Sequence, residues 1–196
     1  MRDPSNGAAP GGGRLLVVVC LAALAATPVF GETNQASGDI GGDGSLLIDS
    51  NVVTLNSVTL DLVKQARDLT GTVLPNGSDV VSGQEIYFVL HVDNTTSFPA
   101  VDVQLTDLID EAQFAYVAGS LEQTTVASGS NDAAIWAGTW TAMTDVGADD
   151  DASATDTGGP ASADRITVGA VAAQPNQSVT ISGPSLKAFR FRVTVN

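Results

Sequence analysis

The sequence predicts an all-β protein, a β-sandwich with an additional N-terminal β segment and a long acidic loop. Three features lead there. Short runs alternate apolar and polar residues with period two, as half-buried strands do. Clusters of Gly, Pro, Asn, Asp and Ser punctuate these runs where turns are wanted. Amphipathic patterns of helical period are almost absent. Strands without helices must bury their apolar faces against one another.

Residues 1–31 read as a segment outside that fold. Arg2 and Arg14 precede an apolar run from Leu15 to Ala26, and Thr27, Pro28, Val29, Phe30 and Gly31 follow. A basic lead, a short apolar stretch and a breaker before a small residue form a secretory signal peptide. The run is too short for an ordinary membrane-spanning helix. Cleavage after Gly31 fits, and Ala26 offers a second position; the competing reading is an uncleaved N-terminal anchor. Val19 precedes Cys20 where lipidation wants a small residue, which argues against a lipoprotein. The expected location is therefore secreted, extracellular or at the cell surface, with no span in the mature chain.

Residues 32–56 form an N-terminal extension. Residues 32–45 are polar and rich in Gly, Ser and Asp, and read as a flexible lead. Leu46, Leu47 and Ile48 then open a β-prone stretch. Val53-Thr54-Leu55 recurs as Val58-Thr59-Leu60, an odd offset that puts equivalent residues on opposite faces and points to two short strands or one bulged strand.

Residues 57–196 are read as the sandwich. Leu60, Leu62 and Lys64 alternate with Asp61 and Val63. Leu74-Pro75-Asn76-Gly77 is a turn, and Ser82-Gly83 another. Glu85 to Val92 is the clearest strand; Ile86, Phe88, Leu90 and Val92 share one face, while Tyr87, Val89 and His91 share the other. With both faces largely apolar, it belongs at the centre of a sheet. Val101, Val103 and Leu105 alternate with Asp102, Gln104 and Thr106. Asp107 to Gln113 reads as a loop, with room for one helical turn. Phe114 to Val117 is a short strand. From Gly129 to Asp164 the chain reads as loose, with a short strand or hairpin over Ala133 to Trp140 and a long surface loop from Asp145 to Asp164. Strands return at Arg165 to Val171, Val179 to Ile181 and Leu186 to Val195.

Composition restricts function. Among 196 residues, 22 are acidic and 8 basic, a formal charge of −14. So much negative charge argues strongly against nucleic acid or an anionic membrane surface as partner, since phosphate binding needs Lys and Arg. One Cys and one His exclude a disulfide scaffold, a cysteine-based zinc site and a multi-histidine metal site within one chain. No nucleophile–base pair can be named, so no enzyme is expected.

Residues from about 58 to 121 resemble the Ig-like repeat called "domain of unknown function 11", found in bacterial and archaeal surface proteins. Leu62-Val63-Lys64 is similar to its opening strand. Val80-Val81-Ser82-Gly83-Gln84-Glu85-Ile86-Tyr87 is similar to its "GD-x-[VI]-x-Y" segment, and Val89-Leu90-His91-Val92-Asp93-Asn94 to its strand ending in Asn. Ala100-Val101-Asp102-Val103-Gln104-Leu105-Thr106-Asp107 resembles "a-x-n-V-x-[VL]-x-D", and Phe114-Ala115-Tyr116-Val117-Ala118-Gly119-Ser120 resembles "F-x-Y-V-x-G-S". Lys187 to Asn196 is similar to the closing strand. The family has Leu-Pro where Leu108-Ile109 stands here, and usually comes in tandem repeats. The resemblance implies an Ig-like sandwich in an extracellular structural or adhesive protein, without enzyme activity.

The candidate sites are few. Asp149, Asp150, Asp151, Ser153, Thr155 and Asp156 offer hard oxygens at alternate positions, so Asp149, Asp151 and Asp156 are candidate Ca²⁺ ligands; an EF-hand's Gly and closing Glu are missing, and a solvated loop is the simpler reading. Asp39, Asp43 and Asp49 are a weaker set. His91 reads as structural. Trp136 and Trp140 could stack on a sugar, but core packing is the simpler role. Asn76, Asn94 and Asn176 each begin an N-glycosylation triplet, a short motif that chance also supplies. The apolar stretch before the Ig-like unit is harder to dismiss. Leu46, Leu47, Ile48, Val52, Val53 and Leu55 form a candidate donated strand, which either pairs with its own sheet edge or adds to the edge of another copy. The second arrangement does not close and makes a filament. The expected function is a non-catalytic structural protein of the cell surface, partnered by itself as a homopolymer or by other surface components. The alternative is a monomeric adhesion or glycan-binding module using Trp136 or loop 145–164.

Overall fold

The structure, a computed structural model, describes residues 58–155, 163–172 and 174–196 in full, together with the backbone of four strands at 32–34, 37–39, 47–49 and 53–55. The leader 1–31 lies outside the described residues.

Those four strands are β1 (Glu32–Asn34), β2 (Ser37–Asp39), β3 (Leu47–Asp49) and β4 (Val53–Leu55). They form two antiparallel ladders, β1 with β4 and β2 with β3. The polar lead is thus not merely a tether, as its composition suggested: backbone pairing needs no apolar side chains, and Glu32–Asn34 supplies it to Val53–Leu55.

The main body is all-β. Its first strands are β5 (Leu60–Arg67), β6 (Val73–Leu74) and β7 (Glu85–Asn94). Then come β8 (Ala100–Val103), β9 (Leu105–Asp110), β10 (Phe114–Tyr116) and β11 (Glu122–Ala127). A helix, α1 (Asp132–Trp136), precedes β12 (Thr141–Ala142), β13 (Ala152–Thr155) and β14 (Ala163–Val168). The chain finishes with β15 (Ala170–Val171), β16 (Gln174–Pro175), β17 (Val179–Ile181) and β18 (Ser185–Val195).

A seven-stranded antiparallel sheet runs β12-β11-β18-β7-β5-β6, with β10 beside the far end of β18. The expected central strand is central: β7 pairs with β18 on one side and β5 on the other. Register sets Phe189 opposite Leu90, Phe191 opposite Phe88 and Val193 opposite Ile86, so the apolar faces of both strands coincide. Facing them are β13-β14-β9 and the separate pair β17-β8. One buried cluster joins these sheets, with Leu90, Val92 and Phe189 from the large one and Ile109, Ile166, Val179 and Ile181 from the smaller ones.

Turn chemistry is where the sequence placed it. Ser78 N–H donates to the Pro75 carbonyl at 3.0 Å, and Gly77 takes φ 86°, a conformation that a Cβ would strain. Five sequence expectations need correction. Asp107–Asp110 continues β9 rather than forming a loop, because Arg165, Ile166, Asp164 and Ala163 of β14 pair with it. Residues 122–127, not read as a strand, form β11 along β18. Ala133 to Trp136 is helical, not strand; Asn131 caps α1 by accepting from Ala134 N–H at 2.9 Å, and Ile135 plugs a second cluster with Leu186 and Ala188. The acidic loop is partly strand, since Ala152–Thr155 pairs with Arg165–Val168. Finally, the alternation over 101–105 breaks at Asp102, which has φ 53°. Val101 and Asp102 stand against a single residue of β17, a bulge that turns Val101 outward.

Candidate functional site

The most informative surface is the seam between β5 and the β8–β9 segment. Within the large sheet Leu62 is the cross-strand neighbour of Val92, and Lys64 of Leu90. Leu60, Leu62, Lys64 and Ala66 therefore share the core-facing side of the sheet. Yet Val92 is 2 % exposed while Leu62 is 59 % and Leu60 39 % exposed. Two adjacent strands present the same face, and only one of them is covered.

The backbone is uncovered too. β6 pairs with β5 only at Ala66 and Arg67. From Leu60 to Gln65 the outer edge of β5 has no partner strand among the described residues. Across the seam, β8 and β9 each stand at the end of their sheets. A groove of about 540 Å³ lies between, lined by Val58, Leu60, Leu62, Val92 and residues 99–105. Lys64 Nζ reaches across to Asp107 Oδ1 at 2.7 Å and bounds the groove. Past this bridge lies a second apolar groove of about 510 Å³, floored by Val73, Leu74, Phe88 and Phe114.

The predicted donor residues are divided. Leu47 and Ile48 lie on β3 and pair with β2; Val53 and Leu55 lie on β4 and pair with β1. Leu46 and Val52 lie outside the described residues. Among the described residues, no ladder joins β3 or β4 to the large sheet.

The acidic loop spends its carboxylates on its own architecture. Asp145 accepts from Tyr116 O–H at 2.6 Å and from Gly119 N–H at 2.7 Å; burial, with this bond, pushes the Tyr116 phenol well above its ordinary pKa. Asp149 accepts from Thr144 O–H at 2.7 Å and Asp150 from Thr144 N–H at 2.8 Å. Asp151 pairs with Lys187. Asp156 lies outside the described residues. The structure thus gives Asp149 and Asp151 separate partners, and among the described residues no three acidic, His or Cys side chains gather as a metal site would require.

The aromatic candidates are engaged as well. The Arg190 guanidinium lies 4.1 Å from the Trp140 ring centroid, 4.6 Å from that of Trp136 and 5.0 Å from that of Tyr87. Glu122 holds its Nε at 2.6 Å. His91 is buried on the same side of the large sheet, and neither ring nitrogen has a hydrogen-bond partner. Desolvation lowers its pKa, and Arg67 adds to this, while Asp132 and Asp93 act against it. Of the glycosylation triplets, those at Asn94 and Asn176 are closed by burial. Asn94 binds the Phe98 and Ile181 carbonyls at 2.7 and 3.1 Å and accepts from Thr96. Asn76 is exposed in its turn.

Sequence reasoning found the apolar face of β5 but not its exposure, and it missed the Lys64–Asp107 bridge. A lysine and an aspartate, each at an inward position of an alternating strand, were the available signal.

Comparison with protein-family models, curated proteins and solved structures finds no match to this chain. The likeness of residues 58–121 to the Ig-like repeat rests on the motif segments alone. Among the described residues, no helix is long and apolar enough to cross a membrane.

Proposed function

We propose that this chain is a secreted, non-catalytic structural protein of the cell surface, built on an Ig-like sandwich, whose copies associate by β-strand addition. One observation carries the reading: β5 leaves core-facing Leu60 and Leu62 uncovered beside an edge with no partner strand among the described residues. Unpaired edges with apolar flanks are templates for another strand, and soluble proteins ordinarily blunt them. Secretion is supported by the leader pattern of residues 1–31. The alternative of a glycan-binding monomer has less support, because the Trp136 and Trp140 rings already hold Arg190.

Electron microscopy of the concentrated protein, with and without Ca²⁺, tests this. Regular filaments are the expected result. Uniform small particles at all concentrations and in both conditions would remove self-assembly.

A further inference from the structure

We propose that a strand drawn from residues 46–55 of a second copy occupies the groove between β5 and the β8–β9 edge. This contact presupposes the assembly reading above and names both of its halves.

The groove has the character of a site left by one missing strand. Its floor is the face that carries Val92, which is part of the main core. Its walls are two strand edges, β5 on one side and β8–β9 on the other, with no ladder partner toward the groove among the described residues. Its length is set by the chain: the edge of β5 is open from Leu60 and closed by β6 at Ala66, with the Lys64–Asp107 bridge just before. About five residues of a strand fit along that edge, an ordinary strand length. The bulge at Val101 and Asp102 interrupts β8 and bends it beside the groove.

The occupant must be extended, apolar and nearly uncharged, because the protein as a whole is strongly acidic. Residues 46–55 have this character: six are Leu, Ile or Val, and Asp49 alone is charged. Their pairing among the described residues is slight. β3 and β4 each hold a three-residue ladder, and isolated two-stranded ladders are marginal in water. Pairing along the longer open edge of β5 is favourable by comparison.

The second copy is preferred to the chain's own segment for a topological reason. Four residues, 56–59, separate Leu55 from Leu60, long enough for a hairpin that would fold Val53–Leu55 back onto its own β5. The structure instead pairs Val53–Leu55 with Glu32–Asn34, and among the described residues nothing pairs with β5 from Leu60 to Gln65 on that edge. Each copy then carries one donor and one acceptor, so the contact is head-to-tail and propagates.

Disulfide scanning tests this on the full chain in a Cys20→Ser background. Leu62→Cys marks the groove, and its exposure leaves the fold intact, which circular dichroism checks. Single cysteines at 47, 48, 53 and 55 mark the segment on separately tagged copies. On mixing and oxidation, at least one pairing is expected to give an intermolecular disulfide several-fold above either single-cysteine copy alone. Deleting residues 46–55 is expected to leave a folded monomer by sedimentation. If the wild-type chain assembles but no pairing links, or deletion leaves assembly intact, the groove assignment is overturned while the assembly reading stands. If a chain carrying both cysteines closes only upon itself, the segment belongs to its own groove and the proposal is overturned. If the wild-type chain never assembles, both readings fall together.

Discussion

His91 shows how one side chain can make stability depend on pH. Its ring is buried with both nitrogens unpartnered, and its pKa is lowered chiefly by desolvation. The unfolded chain takes up that proton near pH 6.5, and the folded chain only at lower pH. Between those values the unfolded state binds more protons, so stability rises with pH and falls on acidification below about 6.5. Urea unfolding at pH 7.5 and 5.5 is expected to show a lower midpoint at 5.5, and His91→Leu to flatten that difference. Removing an unpartnered polar group also carries little penalty of its own. Glycine gives a second test. Gly71 and Gly77 have φ of 93° and 86°. A Cβ on Gly71 would lie 2.2 Å from the Trp136 indole, whereas one on Gly77 meets nothing within 4 Å. Backbone strain alone should make Gly77→Ala cost roughly 1–2 kcal/mol. Gly71→Ala should cost roughly 2–5 kcal/mol, since the indole must also move. Thermal unfolding separates the two.

At the scale of elements, α1 is a short helix that sequence patterning does not reveal. Its five residues are too few to hold themselves. It exists because Ile135 is buried against Leu186 and Ala188, and because Arg67, itself 1 % exposed, donates to the Asp132 carbonyl at 2.9 Å. Ile135→Ala is therefore expected to cost roughly 2–5 kcal/mol. Asn131→Ala, which removes only the cap, should cost about 1 kcal/mol. Chemical denaturation of both variants checks the order; equal costs would mean that the helix is held by its cap. The strands were far more legible than the helix. β7 announces itself because both its faces are largely apolar, and β18 because Phe189, Phe191, Val193 and Val195 line one face. β11 does not, since Glu122-Gln123-Thr124-Thr125 has no apolar alternation and is a strand because β18 offers it an edge. The site was half legible: Leu60 and Leu62 could be put on one face, but which face another strand would cover is not a local property.

For the whole molecule, the excess of negative charge produces a repulsion that no single contact expresses. A formal charge of −14 opposes both the compact state and any approach of two copies. Raising ionic strength from about 0.01 M to 0.15 M shortens the Debye length from about 30 Å to 8 Å. The melting temperature is expected to rise over that interval, and light scattering should show association at lower protein concentration. A falling melting temperature would mean that attractive surface pairs such as Arg192–Glu85 outweigh the repulsion. Surface pairs of this kind are usually worth too little for that.

Local pattern was enough for the all-β class, the turns at Gly77 and Gly83, the central place of β7 and the acidic character of the chain. These follow from period-two alternation, backbone sterics and charge count, all of which are properties of neighbours in sequence. Tertiary structure alone decided that α1 forms, that β9 runs to Asp110, that the loop carboxylates serve the fold, and that Leu62 stands uncovered beside buried Val92. Those outcomes depend on which distant strand arrives at an edge, and burial is settled only when it does.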